Sequence, residues 1–367
     1  MNLKKWMLPG LCTALVLGLL GCGGAAAPES ETQPAQTQPE TQAVTQPVQT
    51  EPPETTQPLL EDGYLFLTVS KLVFSVVGEQ EDIYTGSLPR EEVVWESSDP
   101  NVVAVENGVL TAAGVGNATV TGTYGTQTVS CEVSCLAENE EALAALGSEV
   151  LRTPKRMPFQ VDSWPHAFYE DAAFVGDSIT YTLWHTAGKE PENLGTSLFL
   201  VRGGTSINGF VLNYKNIYYK GVEMKLDDAV AASGVKKVFF MLGQNDLGYM
   251  TIEDTMANWT KLLERILEKS PDVEIYIQSL VPEWLEDTAG NAKNDKIDEY
   301  NQVLKAYCEE RGYYFVEIAD YIEDHTNRMA TVYSMDYSIH INYDGTAVWM
   351  DALKAYAREQ QLKGEYQ

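Results

Sequence analysis

Basic residues are scarce in this sequence. Its 367 residues hold 25 Lys and Arg against 53 Asp and Glu, a formal net charge of -28. Nucleic-acid binding needs clustered cations, so that class of function is excluded. The same field disfavours polyanionic substrates, though weakly, because salt screens it. Solubility outside a cell is the simplest reading of the acidity. Histidine is rarer still, with only His166, His185, His325 and His340. No Cys/His spacing suits a metal, and neither metal nor cofactor is expected. Cys131 and Cys135 are four apart in a strand-like run, about 13 Å between Cα atoms and beyond disulfide reach. They are expected as small buried apolar side chains. Long apolar runs are also wanting, since Leu11–Leu20 is too short to span a bilayer as a mature helix.

That short run has another use. Lys4 and Lys5 precede it, and it ends in Leu19-Leu20-Gly21-Cys22, which resembles the bacterial lipobox. The resemblance implies lipidation of Cys22, with acyl chains anchoring the protein to the outer face of the bacterial cell membrane. From 22 to 60 the chain is Thr, Gln, Pro and Glu-rich, with seven prolines from Pro28 to Pro58. Such a composition buries too little apolar surface to order itself. Extended, it reaches about 100 Å.

From Tyr64 to Cys135 the sequence reads as all-β. Tyr64–Val69, Glu92–Glu96, Val102–Val105, Ala118–Thr121 and Thr128–Ser130 are β-branched or aromatic runs between Gly, Asn, Asp and Pro turns, the pattern of a sandwich. Val94-Trp95-Glu96-Ser97-Ser98-Asp99, Asn107-Gly108-Val109-Leu110-Thr111-Ala112 and Gly114-Val115-Gly116-Asn117-Ala118-Thr119-Val120 resemble the bacterial group 2 Ig-like domain. That implies a spacer or adhesion module.

After a Pro-punctuated connector, with a short helix predicted within Glu138–Leu151, strands and helices alternate. Apolar strands are predicted at Ala173–Val175, Leu198–Val201, Val238–Leu242, Val273–Ile277 and Tyr314–Ile318. Helices are predicted at Ile179–Thr186, Lys225–Ser233, Ile252–Lys269, Asp295–Arg311 and Gly345–Glu359. Near-continuous apolar strands imply a parallel sheet covered on both faces, with a site at the strands' C-terminal ends. Expected boundaries are 1–21 signal peptide, 22–60 tether, 61–135 Ig-like domain, 136–171 connector and 172–367 hydrolase domain.

Three loops at those strand ends carry chemistry. In Gly176-Asp177-Ser178, a Ser between strand and helix can present its hydroxyl above the sheet, near N–H groups that hold an oxyanion. Gly203-Gly204-Thr205-Ser206 lets backbone approach a substrate. Gly243-Gln244-Asn245-Asp246 offers an amide donor. Singly, these are an N-cap and two turns. In this order, and with Ser338-Ile339-His340-Ile341-Asn342 near the end, they resemble the SGNH (GDSL-like) hydrolases over about Phe174–Leu362.

The resemblance implies a three-layer α/β/α sandwich with a five-stranded parallel, flavodoxin-like sheet, preceded by the all-β region. It also implies Ser178 as nucleophile and His340 as its base. The oxyanion hole would be the N–H groups of Ser178 and Gly204 (or Gly203 in the neighbouring register) with the Asn245 amide. In one place the sequence departs from the family. The acid expected three residues before the His is Tyr337, and the nearest carboxylate is Asp336, four before. Either a loop adjustment lets Asp336 orient the ring or a Ser–His dyad operates. Trp284, after the fourth strand, is a candidate for stacking a sugar ring or for packing.

The expected activity is hydrolysis of an acyl ester, O-acetyl on a carbohydrate or cell-wall glycan being favoured. A non-catalytic wall- or carbohydrate-binding protein and an O-acyltransferase are the alternatives. The membrane and a glycan-linked ester are the expected partners, and a monomer is the default.

Overall fold

The computed structural model describes residues 63–285 and 293–364. The signal peptide, Cys22 and the 22–60 tether lie outside the described residues. Eight strands build an N-terminal all-β region. They are β1 (Val69–Val76), β2 (Gln80–Asp82), β3 (Val94–Ser97), β4 (Val103–Glu106), β5 (Val109–Ala112), β6 (Gly116–Tyr124), β7 (Gln127–Ala137) and β8 (Arg156–Pro158). One sheet has the order β3-β6-β7-β1-β8 and the other β2-β5-β4. Leu67, Val103, Leu110, Val120 and Val133 form their shared core.

The first strand differs from expectation. Tyr64–Leu67 is buried and held by backbone bonds from Thr85 and Ser87 and a bridge from Leu67 to Tyr84, and the regular strand starts only at Val69. Tyr64 and Phe66 instead meet Ala355, while Leu65 and Leu67 enter the β core. The side chains of β7 alternate, so Cys131 and Cys135 share its inner face as free buried thiols. Burial pushes the Cys131 thiol up to about 12, which leaves it unreactive. The helix expected before residue 151 is two short turns, α1 (Glu140–Ala144) and α2 (Ser148–Leu151). Gly147 stands between them, in extended backbone as the N-cap of α2.

The remaining chain alternates β9 (Ala172–Gly176), α3 (Ser178–Leu183), β10 (Leu198–Val201), α4 (Ile207–Val211), a hairpin of β11 (Ile217–Tyr219) and β12 (Val222–Met224), α5 (Leu226–Ser233), β13 (Lys237–Met241) and α6 (Gln244–Leu247). It closes with α7 (Ile252–Lys269), β14 (Glu274–Gln278), α8 (Asn294–Arg311), β15 (Tyr314–Val316), α9 (Ala319–Ile322) and α10 (Tyr343–Lys363). The five longer-range strands pair in parallel in the order β10-β9-β13-β14-β15. Every residue of β9 and β13 is buried, as a sheet covered on both faces requires.

Helix α7 shows how sequence sets position. Thr251 caps it through the Asp254 N–H at 3.1 Å, and Thr255, Trp259, Leu262, Leu263 and Ile266 bury one stripe. Trp259 donates its indole N–H to Tyr300 Oη at 2.6 Å. Phe168 and Tyr169, just before β9, belong to this same core.

The two regions meet along β1 and β8. Tyr321 donates its hydroxyl to the Thr68 carbonyl at 3.1 Å, and Arg156 bridges Glu81 and Asp320. Ser75 Oγ lies 2.9 Å from Nδ1 of buried His325, whose Nε2 has no partner. Burial first, then Lys155, pushes this ring down to about 4, against the pull of Asp324. A folded-state value below the ordinary 6.5 means the neutral ring favours the fold above that pH. This contribution is lost as pH falls toward 4. It amounts to at most about 3 kcal/mol, less for screening at the ring's accessible edge. The His325→Gln protein should therefore lack this part of the acid destabilisation. Urea midpoints of the two proteins that fall in parallel from pH 7 to pH 4.5 would show that His325 is not responsible.

Candidate active site

Strand β9 runs into α3 through Gly176-Asp177-Ser178. A Cβ on Gly176 would meet Thr180 Oγ1 at 1.9 Å and the Met241 carbonyl at 3.0 Å, so only glycine fits there. Asp177 caps α3 by accepting from the Ile179 N–H at 2.9 Å. This sets Ser178 at the first helical position, half-buried, above the sheet's C-terminal edge.

Asp177 is itself buried, and that burial pushes its carboxyl up to about 6. The Ile179 N–H, His340 and Asn245 oppose the shift and Asp246 adds to it. Its other oxygen accepts from the Asn245 amide at 2.7 Å.

The second and third loops are tied to one another. Gly204 has φ of 66°, a backbone region that glycine enters without strain, and the space where its Cβ would stand is open. Asn245 Nδ2 also donates to the Thr205 carbonyl at 2.9 Å. Both amide hydrogens of Asn245 are thus engaged, and it can donate to an oxyanion only by sharing or releasing one bond. Asp246 is fully buried and accepts from the Ile207 and Asn208 N–H groups at 2.9 and 3.0 Å. Burial raises its carboxyl to about 6, against those two bonds. Asp177 and Asp246 thus also belong to the site, each adjoining a residue that the sequence alone marks, and neither carries a sequence signal of its own.

The fourth loop, Ser334–Ile341, folds back on itself. The Met335 N–H donates to the His340 carbonyl at 2.8 Å, and Ser334 bridges Ile341. Tyr337 sits at φ 53°, a left-handed conformation that turns the chain within one residue. Asp336, four residues before His340, thereby faces it. Its Oδ2 lies 2.6 Å from His340 Nδ1, and Oδ1 accepts from the Ser338 and His340 N–H groups at 2.9 and 3.3 Å. His340 Nε2 lies 3.0 Å from Ser178 Oγ. Burial alone would raise the Asp336 carboxyl, but the bonds from His340 and Ser338 outweigh it and hold it below the usual carboxylate range.

The structure therefore brings Ser178, His340 and Asp336 into one hydrogen-bonded line, with Asn245 behind Asp177. Trp284 lies beside this line. The Arg152 guanidinium covers its ring at 4.8 Å, and Tyr337 packs edge-on at 5.0 Å. Its indole N–H donates to Thr331 Oγ1 at 3.1 Å. These contacts pack it, partly buried, against its neighbours. Among the other histidines, His166 stacks on Trp164 and His185 on Tyr181. Among the described residues no group of three or more His, Cys, Asp or Glu is arranged to hold a metal ion.

A Ser–His–Asp line over the C-terminal edge of a parallel sheet belongs to the class of serine hydrolases in its geometry. Residues 174–348 match the family described as GDSL-like Lipase/Acylhydrolase, which makes this region a GDSL-like acylhydrolase domain and the protein a carboxylic ester hydrolase.

No curated protein matches the chain significantly. Among solved structures, a GDSL-like lipase from Bacteroides thetaiotaomicron is similar at 16% identity and TM-score 0.42. The match covers 56% of this chain and 93% of that one. A carbohydrate esterase family 3 protein from Talaromyces cellulolyticus is similar at 14% identity and TM-score 0.39, covering 53% and 98%.

Proposed function

We propose that this protein is a cell-surface serine esterase that removes an acyl group, O-acetyl in the simplest case, from a carbohydrate or cell-wall glycan. The observation that carries the reading is the pair of contacts on His340, 3.0 Å to Ser178 Oγ and 2.6 Å to Asp336. A serine hydroxyl is a poor nucleophile until a base takes its proton, and this imidazole is placed to do so. Ser178 Oγ attacks the ester carbonyl as its proton passes to His340 Nε2. The resulting oxyanion is held by the N–H groups of Ser178 and Gly204 and by the Asn245 amide, which shares or releases its bond to Asp177 or Thr205 to do so. Collapse expels the carrier alcohol, which takes the proton from His340, and leaves an acyl-Ser178. Water, activated by the same ring, then releases the acid.

A half-buried nucleophile suits an acyl group projecting from a large carrier. Tyr337, 59% exposed in the loop that carries His340, offers a ring for a sugar face. The net charge of -28 favours a neutral carrier over an anionic one. The screen that tests this sets the full-length protein against short-chain aryl esters, acetylated glycans and long-chain lipid esters. Acetate release from glycans is expected; turnover of lipid esters alone would sink the glycan assignment.

We further propose that Cys22 carries the lipid, that residues 22–60 tether the enzyme, and that residues 61–135 are an Ig-like spacer. The Cys22→Ala protein should then leave the membrane fraction. Its retention there after salt washing would overturn the anchor.

A further inference from the structure

Arg152 lies outside the matched 174–348 region, at the C-cap of α2, yet it touches several of the segments that support the His340 loop. Its Nε pairs with Asp324, which is fully buried. Asp324 in turn accepts from the Thr326 N–H and hydroxyl, both at 2.7 Å, and from the Arg328 N–H at 3.2 Å, so it organises the 324–328 turn. A second guanidinium nitrogen donates to the Met329 carbonyl at 3.0 Å. The backbone carbonyl of Arg152 accepts from the Thr331 N–H at 3.0 Å.

The guanidinium plane also lies over Trp284 at 4.8 Å. Trp284 donates its backbone N–H to the Ser338 carbonyl at 2.7 Å, and Ser338 lies between Asp336 and His340. One half-buried cation thus fixes the turn leading into the loop and the ring against which the loop is registered. A fixed planar fork can meet a carboxylate, a carbonyl and a ring at once, as a lysine cannot.

We infer that Arg152 is a positioning residue for the reaction. Through Asp324, Met329 and Trp284 it holds the Asp336–His340 segment at the distance from Ser178 that proton transfer needs. The connector before the acylhydrolase region is then part of the working enzyme. This inference rests on the esterase reading above, and the test separates the two.

Full-length wild-type, Arg152→Ala and Arg152→Lys proteins are assayed on a short-chain aryl ester. Active sites are counted by stoichiometric phosphonate labelling of Ser178, so that unfolded protein does not enter the rate. Per labelled site, Arg152→Ala should lose roughly 10- to 100-fold in kcat with little change in KM, the scale of a small misplacement of catalytic groups. Arg152→Lys should fall between, and added guanidinium should restore part of the Arg152→Ala rate.

The same changes are then made in Asp336→Asn protein. If Arg152 acts by positioning that residue and His340, its loss should matter far less there. Unchanged kcat per labelled site in Arg152→Ala, or an undiminished penalty in the Asp336→Asn background, would overturn the inference. If Arg152→Ala does not fold, Arg152→Lys carries both comparisons. A wild-type protein without esterase activity would instead overturn the functional reading itself.

Discussion

Replacing Ser178 with Ala is expected to lower kcat for ester hydrolysis on the order of 10⁶-fold, the scale seen when a triad nucleophile is removed. The fold should persist. Ser178 is the first residue of α3, and the N-cap bond there belongs to Asp177 and the Ile179 N–H. The change deletes one oxygen, whose hydrogen-bond partner is His340 Nε2, and that ring nitrogen can turn to solvent. Asp336 and the loop that carries it keep their bonds, because they engage the other side of the ring. Substrate should still bind, and the variant should compete with wild-type enzyme for a glycan without turning it over. Rates and thermal melting of the two proteins decide the matter. Full activity in the Ser178→Ala protein would remove Ser178 as nucleophile.

What could be read from the sequence was what local chemistry encodes. Helix α7 was legible end to end because Thr251 caps it and its apolar residues recur at helical spacing. The five parallel strands were legible as short apolar runs between turn residues. The hairpin Ile217–Met224 was not. Its turn residues Lys220 and Gly221 both have positive φ, the geometry for which Asn-Gly is the usual signal, and lysine hides it.

Strand β8 was also invisible, being three residues ending in proline that gain a partner only when β1 is present. Three loops of the site were legible because each follows a strand end, and the fourth because it precedes the last helix. What was not legible is how they engage one another. The bonds from Asn245 to Asp177 and Thr205 join residues 68 and 40 positions apart, and Arg152 acts on a loop that follows it by more than 170 residues. No periodicity reports such pairs. The displaced acid is the sharpest case, since the left-handed Tyr337 that lets Asp336 reach His340 carries no glycine or asparagine to announce it.

Changing Asp336 to Asn should cost up to about 10⁴-fold in kcat, as the comparable change does in another triad. The hydrogen-bond pattern explains why so small a change should do this. One oxygen of Asp336 faces His340 Nδ1 and the other accepts two backbone N–H groups, from Ser338 and His340. Asn has one acceptor oxygen and one donor NH₂. Placed with its NH₂ toward the backbone, it would set donor against two donors. It should therefore keep its oxygen on the backbone and turn its NH₂ to the ring. Nδ1 must then accept, the ring proton moves to Nε2, and Nε2 can no longer take the proton of Ser178.

The loop would survive with the wrong tautomer in it. KM should change little, because no group that meets substrate has moved. Asp336→Ala keeps no acceptor for the two backbone N–H groups and should loosen the loop as well, giving a lower melting temperature that the Asn variant does not share. Were Asp336→Asn to retain activity within a few-fold of wild type, the ring would be oriented by something other than this carboxylate, and the enzyme would operate as a Ser178–His340 dyad.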